Sequence, residues 1–380
     1  MSESSATWRT VRFDQIADNI AERVEPAQAD TDIYVGLEHL DPDSLRLRRW
    51  GTPADVEGTK LRFYPGDVIF GRRRAYQRKL AVAEFEGICS AHAMVLRARP
   101  DVCLPEFLPF FLQSDRFFER AMAISVGSLS PTINWKTLAV QEFPLPPLDE
   151  QRRIAEILWA AGAVINGYVA VEESLQGLKR AYWLQVSSEA DWPVVNLGDI
   201  AEVHNGATPR REVERYWTNG TIPWLPTEKV HERLIAQADE LITEAAVKEC
   251  SLKIFPAGSV LISMIGQGKT RGTVARLLLD ACINQNFACA VSQPGTDSEF
   301  LFYYLGNSYE ELRRLSQGGV QALNCQILKQ FPIRLPPIEE QLALAASYRE
   351  VERRSEYVRE HIAKLRSLAS ILSKQLLSSA

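Results

Sequence analysis

No pair among the six cysteines is spaced as Cys-x-x-Cys, and the five histidines are scattered through 380 residues. A zinc-finger or redox motif is therefore not expected, and the thiols are expected to stay free in a reducing cytoplasm. The opening residues, MSESSATWRT, lack the apolar core of a secretory signal. No apolar run is read as approaching the roughly 20 residues that cross a bilayer, so no membrane partner is expected. Also missing are a G-x-G-x-x-G turn, the [DN]-P-P-[YFW] tetrapeptide of amino-methyltransferases, an H-x-x-x-H pair and any carboxylate cluster. These absences argue against catalytic residues, a metal site or a cofactor in this chain.

Positive charge is not in excess either, since the net charge is −5. Its distribution is uneven, however, and screening limits exposed charges to about 10 Å of reach. Residues 72–79, Arg-Arg-Arg-Ala-Tyr-Gln-Arg-Lys, hold five cations and no acid. Acid gathers elsewhere, as at Asp239, Glu240, Glu244 and Glu249.

The chain contains an ordered internal duplication. Trp8-x-x-x-x-Phe13-x-x-Ile16-Ala17 returns as Trp192-x-x-x-x-Leu197-x-x-Ile200-Ala201. Gly66-Asp67-Val68 matches Gly258-Ser259-Val260, and that register runs ungapped to Val82-Ala83 opposite Val274-Ala275. Leu145-Pro146-Pro147-Leu148-Asp149-Glu150-Gln151 returns as Leu335-Pro336-Pro337-Ile338-Glu339-Glu340-Gln341. The duplication decides how to read Gly268-Lys269-Thr270, which imitates a phosphate loop with Ser263 where the first glycine belongs. The first copy keeps the cations there without Gly-Lys-Thr. Residues 271–275, Arg-Gly-Thr-Val-Ala, favour a turn and strand over the helix that such a loop requires. Both halves thus share a basic loop between two strands.

Each half reads as about 145 residues of mixed strands and short helices, followed by a long helix behind a Pro-Pro breaker and a first turn of acids. One apolar series runs Ile157, Ala161, Val164, Tyr168, Val171, Leu175, Leu178, Tyr182. The other runs Leu344, Tyr348, Val351, Ser355, Val358, Ile362, Leu365, Ala369, Leu372, Leu376. Alternating steps of four and three describe a coiled-coil seam. The expected fold is α+β: two pseudo-symmetric globular domains separated by two long antiparallel helices packed as a coiled coil. Two basic loops on a rigid rod suit the reading of two places on one long polymer, and double-stranded DNA fits best.

At these motifs the chain resembles the specificity (S) subunit of type I restriction–modification systems, over nearly its whole length. The marks are the duplicated L-P-P-[LI]-[DE]-E-Q, then Gly206-Ala207-Thr208-Pro209, Ile222-Pro223-Trp224, and Ile283-Asn284-Gln285-Asn286. In the first half the mark is Tyr34-Val35-Gly36-Leu37-Glu38-His39-Leu40, but G-x-T-P and P-W are absent there. The resemblance implies a target-recognition domain at 1–144, a central long helix at 145–187, a second recognition domain at 188–334 and a distal helix at 335–380. Each domain would read half of a bipartite asymmetric DNA site. The helices would set the spacer and dock two DNA-methyltransferase (M) subunits, which recruit endonuclease/translocase (R) subunits. S-adenosylmethionine, ATP and Mg would belong to those partners.

Arg72, Arg73, Arg74, Arg78 and Lys79 are expected to meet phosphates, with one or two reaching guanine, and Tyr76 and Gln77 to meet base edges. Gln267, Lys269, Thr270 and Arg271 form the second expected loop, with Thr208, Arg210 and Arg211 beside it. Asn284, Gln285 and Asn286 carry two readings, pairing with adenine edges or fixing a loop. Trp224 is read as a core aromatic. Leu145, Pro146, Pro147 and Gln151, with Leu335, Pro336, Pro337 and Gln341, are expected to start the helices and meet partners. The rival readings are a coiled-coil protein scaffold, a P-loop ATPase, and a specificity module of a related defence system lacking a type I nuclease.

Overall fold

The computed structural model describes residues 8–42, 44–188, 191–266, 270–315 and 323–378. They form two compact units. One comprises the chain up to Val171 together with residues from Val358 onward, and the other is Glu172–Tyr357. Each long helix therefore gives one half to each unit, whereas the sequence reading had set the helices apart as segments of their own.

In the first unit, Val68–Gly71 is buried along its whole length, as a strand covered on both faces must be. It pairs antiparallel with Leu80–Val82 on one side and Ala93–Ala98 on the other, and Ala17–Asn19 closes the sheet beyond Ala93–Ala98. A second sheet takes Arg23–Val24, Lys60–Phe63, Gly87–Cys89 and Tyr34–Val35 in that order, the last pair parallel. On the other side of the first sheet lies an aromatic cluster of Phe13, Phe111, Phe117 and Phe143. Its rings meet at centroid distances of 5.4–5.6 Å for the closest pairs, within the range that favours edge and tilted aromatic contacts.

The second unit repeats this plan. Val260–Ser263 lies between Val274–Leu277 and Phe287–Ser292, and Ala201–Asn205 flanks the latter. Trp224–Leu225 runs parallel to Cys282–Ile283, as Tyr34–Val35 does to Ile88–Cys89. The first half's Tyr34-Val35 thus takes the place of the Pro-Trp segment it lacks. Gly66 and Gly258 open the equivalent turns with φ of +89° and +93°, a region open to glycine without penalty. The strands Arg9–Arg12 and Val194–Asn196 pair with Glu142–Leu145 and Pro332–Arg334, the segments that lead into the long helices.

Those helices are Leu148–Ser188 and Ile338–Ser378, 41 residues each. In the first unit the Tyr168 ring stacks on His361, and Leu158 shares a core with Leu377. In the second, Gln176 donates to Ser355 at 2.9 Å, Lys179 meets Glu352 at 3.1 Å, and the Tyr182 hydroxyl donates to the Leu344 carbonyl. Numbers rise on one helix as they fall on the other, so the packing is antiparallel in each unit. Every member of the distal series is buried or half-buried, including Ser355, which bonds Glu172. The central series needs correction. Val164, Val171 and Leu178 are exposed, and Glu172 and Lys179, one residue further on than two of them, face the distal helix. Residues 154–171 carry Glu156 as their one charge and are apolar on almost every side, so spacing marks no single face. The same stretch overturns the expectation about apolar runs. The central helix contains an 18-residue window of mean hydropathy 1.6 and is, by length and composition, long and apolar enough to cross a membrane.

The repeated glutamine explains the helix starts. Gln151 is fully buried; its Oε1 accepts from Leu104 N–H at 2.8 Å, and its Nε2 donates to the Val102 and Pro146 carbonyls at 2.9 and 2.8 Å. Gln341 repeats the arrangement with Asp297 N–H and the Gly295 and Pro336 carbonyls. Gln151, Gln341 and Leu145 are 0% exposed, so the partner-contact half of their expected role is corrected to a structural one. Each glutamine satisfies three buried or part-buried backbone groups. Gln151→Leu and Gln341→Leu are expected to lose roughly 3 kcal/mol each by stranding those groups. Urea denaturation of the full chain checks this, and losses under about 0.5 kcal/mol would show the amides to be incidental.

Candidate nucleic-acid interface

In the first unit, the turn after Val68–Gly71 brings out the basic run. The 3-10 turn Ala75–Gln77 is flanked by Arg74 and Arg78, both left-handed at φ 55° and 50°. Such backbone is strained for a residue with a Cβ and persists where its surroundings enforce it. Here Pro131 O accepts from Arg74 N–H at 2.9 Å, and Arg72 O accepts from Ile133 N–H at 3.0 Å. Arg73 and Arg74 are exposed, Tyr76 is half-exposed, and Arg72 is half-buried with an Nε that has no hydrogen-bond partner. Arg73, Arg74 and Tyr76 form the presented edge, and Arg72 and Gln77 are half-buried.

Arg78 and Lys79 depart from the expected phosphate contacts. The Arg78 guanidinium lies 3.8 Å above the Phe118 ring centroid and donates to Asp115 at 2.6 Å. Lys79 Nζ donates to the Leu37 carbonyl at 3.0 Å. Both tie the loop down instead of reaching out. The Arg78 hydrogen bond holds the Asp115 carboxyl below its usual range, with the Arg78 and Lys374 charges acting the same way. Because the folded value lies below the unfolded one, the clamp contributes fully above the ordinary carboxylate range. It is lost only as pH falls through the lowered value.

The second unit gathers residues that are far apart in sequence. Gly206 lies flush against the chain at Ile283, where any Cβ would run into the Ile283 carbonyl. Trp224 is buried in the core, as expected, and donates Nε1–H to the Ala207 carbonyl at 3.0 Å. This fixes exposed Thr208, whose Oγ1 donates to Gln285 Oε1 at 2.6 Å. Thr270 sits 3.4 Å from His231 Nε2, and Arg271 is half-buried. Gln267 and Lys269 lie outside the described residues. Of the amides, Asn284 takes the loop-fixing reading: it is buried, donates to Thr227 Oγ1 at 2.8 Å and accepts from Asn286 N–H. Gln285 is exposed and Asn286 half-buried, so these two reach the surface. Arg210 and Arg211 are both exposed, and Arg211 also forks onto Glu240 and stacks 3.9 Å from the Trp217 centroid.

A family model described as the type I restriction modification DNA specificity domain matches residues 57–166 and 189–364. The chain belongs to that family. Over 161 residues it is 35% identical to the type I restriction enzyme MjaIX specificity subunit of Methanocaldococcus jannaschii, covering 41% of this chain and 36% of that protein. Over 157 residues it is 26% identical to the EcoR124I/EcoR124II specificity subunit of Escherichia coli, covering 40% of this chain and 38% of that one. The chain thus spans little more than a third of the length of these relatives. The crystal structure of a type I restriction-modification S subunit from M. genitalium superposes with TM-score 0.61 at 13% identity, over 99% of this chain and 97% of that one, a likeness of fold.

Of the two matched regions, 57–166 lies in the first unit and 189–364 lies mostly in the second. Sequence reasoning missed the anchors Asp115, Phe118, Glu240 and Trp217, and the histidines His92 and His231 beside the two loops. All but Trp217, six residues from Arg211, meet their arginine or loop from a distant part of the chain, where nothing local marks them. Removing the carboxylate in Asp115→Ala is expected to speed amide hydrogen exchange across residues 72–79, while global stability falls by about 1 kcal/mol at most. Exchange mass spectrometry reads both, and unchanged protection of the loop would show that Asp115 does not hold it.

Proposed function

We propose that this chain is the DNA-sequence-specificity subunit of a type I restriction–modification enzyme, each unit reading one half of a bipartite asymmetric site. The observation that carries this is chemical divergence on a repeated scaffold. The same strand pairing supports a loop in both units, yet the first unit presents Arg73, Arg74 and Tyr76, whereas the second sets Thr270 on that loop and Thr208, Arg210 and Gln285 on other segments. Cations position a reader on the phosphates, while hydroxyl and amide groups discriminate base edges. Two copies reading the same half-site would have no reason to differ in this way.

The chain itself then does no chemistry and carries no cofactor. Methyl transfer from S-adenosylmethionine falls to two M subunits, and ATP-driven translocation and cleavage with Mg fall to R subunits, in the cytoplasm where the host DNA lies. The central helix supports such docking. Ala160, Ala163, Val164, Gly167 and Val171 are exposed on it, as are Leu178 and Leu184 further along, an apolar surface of the kind that marks partner contacts. Long paired helices also suit a spacer between half-sites.

Methylome sequencing of a host expressing this chain with its neighbouring methyltransferase, against the methyltransferase alone, tests the reading. A bipartite motif appearing only with the chain is expected. Two soluble, associated proteins that produce no motif would favour the scaffold. Within the assembled methyltransferase, Arg74→Ala is expected to weaken binding to all sequences alike and to lower the salt slope of log K by about one. Fluorescence anisotropy across a salt series measures this, and a sequence-selective loss would make Arg74 a base reader instead.

A further inference from the structure

We infer that His92 is a specificity-determining residue, its imidazole donating a hydrogen bond to a base edge in the half-site taken by the first unit. This rests on the reading of both units as DNA-recognition domains. It begins with strand register. Gly71 pairs with Ala93 in the first unit and Ser263 pairs with Phe287 in the second. The residue just before that pair is His92 in one and Asn286 in the other. Both carbonyls accept a backbone N–H from the loop that follows the preceding strand, His92 from Arg73 at 3.3 Å and Asn286 from Met264 at 2.9 Å. His92 therefore occupies the place of Asn286. The ungapped sequence register instead sets His92 opposite Asn284, the amide that the structure buries.

The side chain is exposed, and its backbone is fixed on both sides, with its N–H donating to Ser90 Oγ at 3.2 Å. Its Nε2 stands 3.1 Å from Arg73 Nη1. A guanidinium only donates, so Nε2 is the acceptor and the ring proton sits on Nδ1. Partial burial and the charges of Arg73, Arg72 and Lys60 all disfavour a second proton. What remains is a neutral ring with one N–H donor, set beside Arg73 on a backbone fixed by hydrogen bonds. Such a donor matches the acceptors that bases display in the major groove, of which guanine offers two, O6 and N7. Its contact with Nε2 also orients Arg73 at the same edge.

The test uses the full chain co-expressed with its methyltransferase, with the wild-type motif read by methylome sequencing. His92→Ala is expected to relax one base pair in one half of the motif, lowering discrimination there about tenfold, with the other half unchanged. Since no charge is removed, the salt slope should stay the same. Thr208→Val combined with Gln285→Ala should relax the opposite half. Two conservative variants separate reading from folding. His92→Asn places an amide N–H near the Nδ1 position and should retain the preference, whereas His92→Gln keeps only a group near Nε2 and should lose it. An unchanged motif in His92→Ala, a uniform loss with a shallower salt slope, or relaxation of both halves would each overturn the assignment. A wild-type chain that yields no motif would instead overturn the reading on which it rests.

Discussion

Two buried glutamine amides hold the architecture together. Gln151 and Gln341 each stand one turn into a long helix and bind three backbone groups, one just ahead of the helix and two on a loop more than 40 residues earlier. A neutral hydrogen bond of this sort adds only about 1 kcal/mol, but a stranded buried group costs more. The side chain therefore leaves little freedom in where the helix begins or how it is rotated. That rotation sets which residues meet across the seam, and in the second unit it brings Glu172 and Gln176 to the buried Ser355 hydroxyl. A polar contact inside an apolar seam favours one register over its neighbours.

The loops obey a related constraint. A side chain that discriminates bases has to be held within a fraction of an ångström, and a surface loop is not stiff by nature. Each unit ties one partly exposed arginine to an aromatic ring and a carboxylate. Arg78 is held by Phe118 and Asp115, Arg211 by Trp217 and Glu240. The same residue type thus serves in two capacities a few positions apart, anchored at Arg78 and Arg211 and presented at Arg73, Arg74 and Arg210. An aromatic face and a carboxylate together make a site that suits a planar guanidinium better than an ammonium. Lys79 is tied to a lone carbonyl instead.

The central helix shows how composition and position diverge. Its apolar stretch contributes Ile154, Ala155 and Leu158 to the core of the first unit and leaves Val164 and Val171 exposed. A segment that would suit a bilayer by hydropathy alone is here half core and half open surface.

The duplication, the α+β class, the proline breakers, the distal seam and the two basic loops were all legible in the sequence, because each depends on residues close together or on a repeat that can be aligned. Local chemistry does not say which cation is anchored, since Asp115 and Glu240 lie 37 and 29 residues from the arginines they hold. Nor does it separate Asn284 from Asn286, which differ by burial and not by type. The central seam was misplaced because Ala, Val, Ile and Gly surround that helix, and its rotation follows from the Gln151 bonds to residues 102 and 104, which spacing along the helix does not show. The equivalence of His92 with Asn286 was hidden by chain length, since Ala93 follows Gly71 by 22 residues while Phe287 follows Ser263 by 24. Sequence alone determined that there are two like domains with two unlike loops. Tertiary structure decided which side chains those loops present, because strand pairing and buried hydrogen bonds, not order along the chain, bring distant residues to one edge.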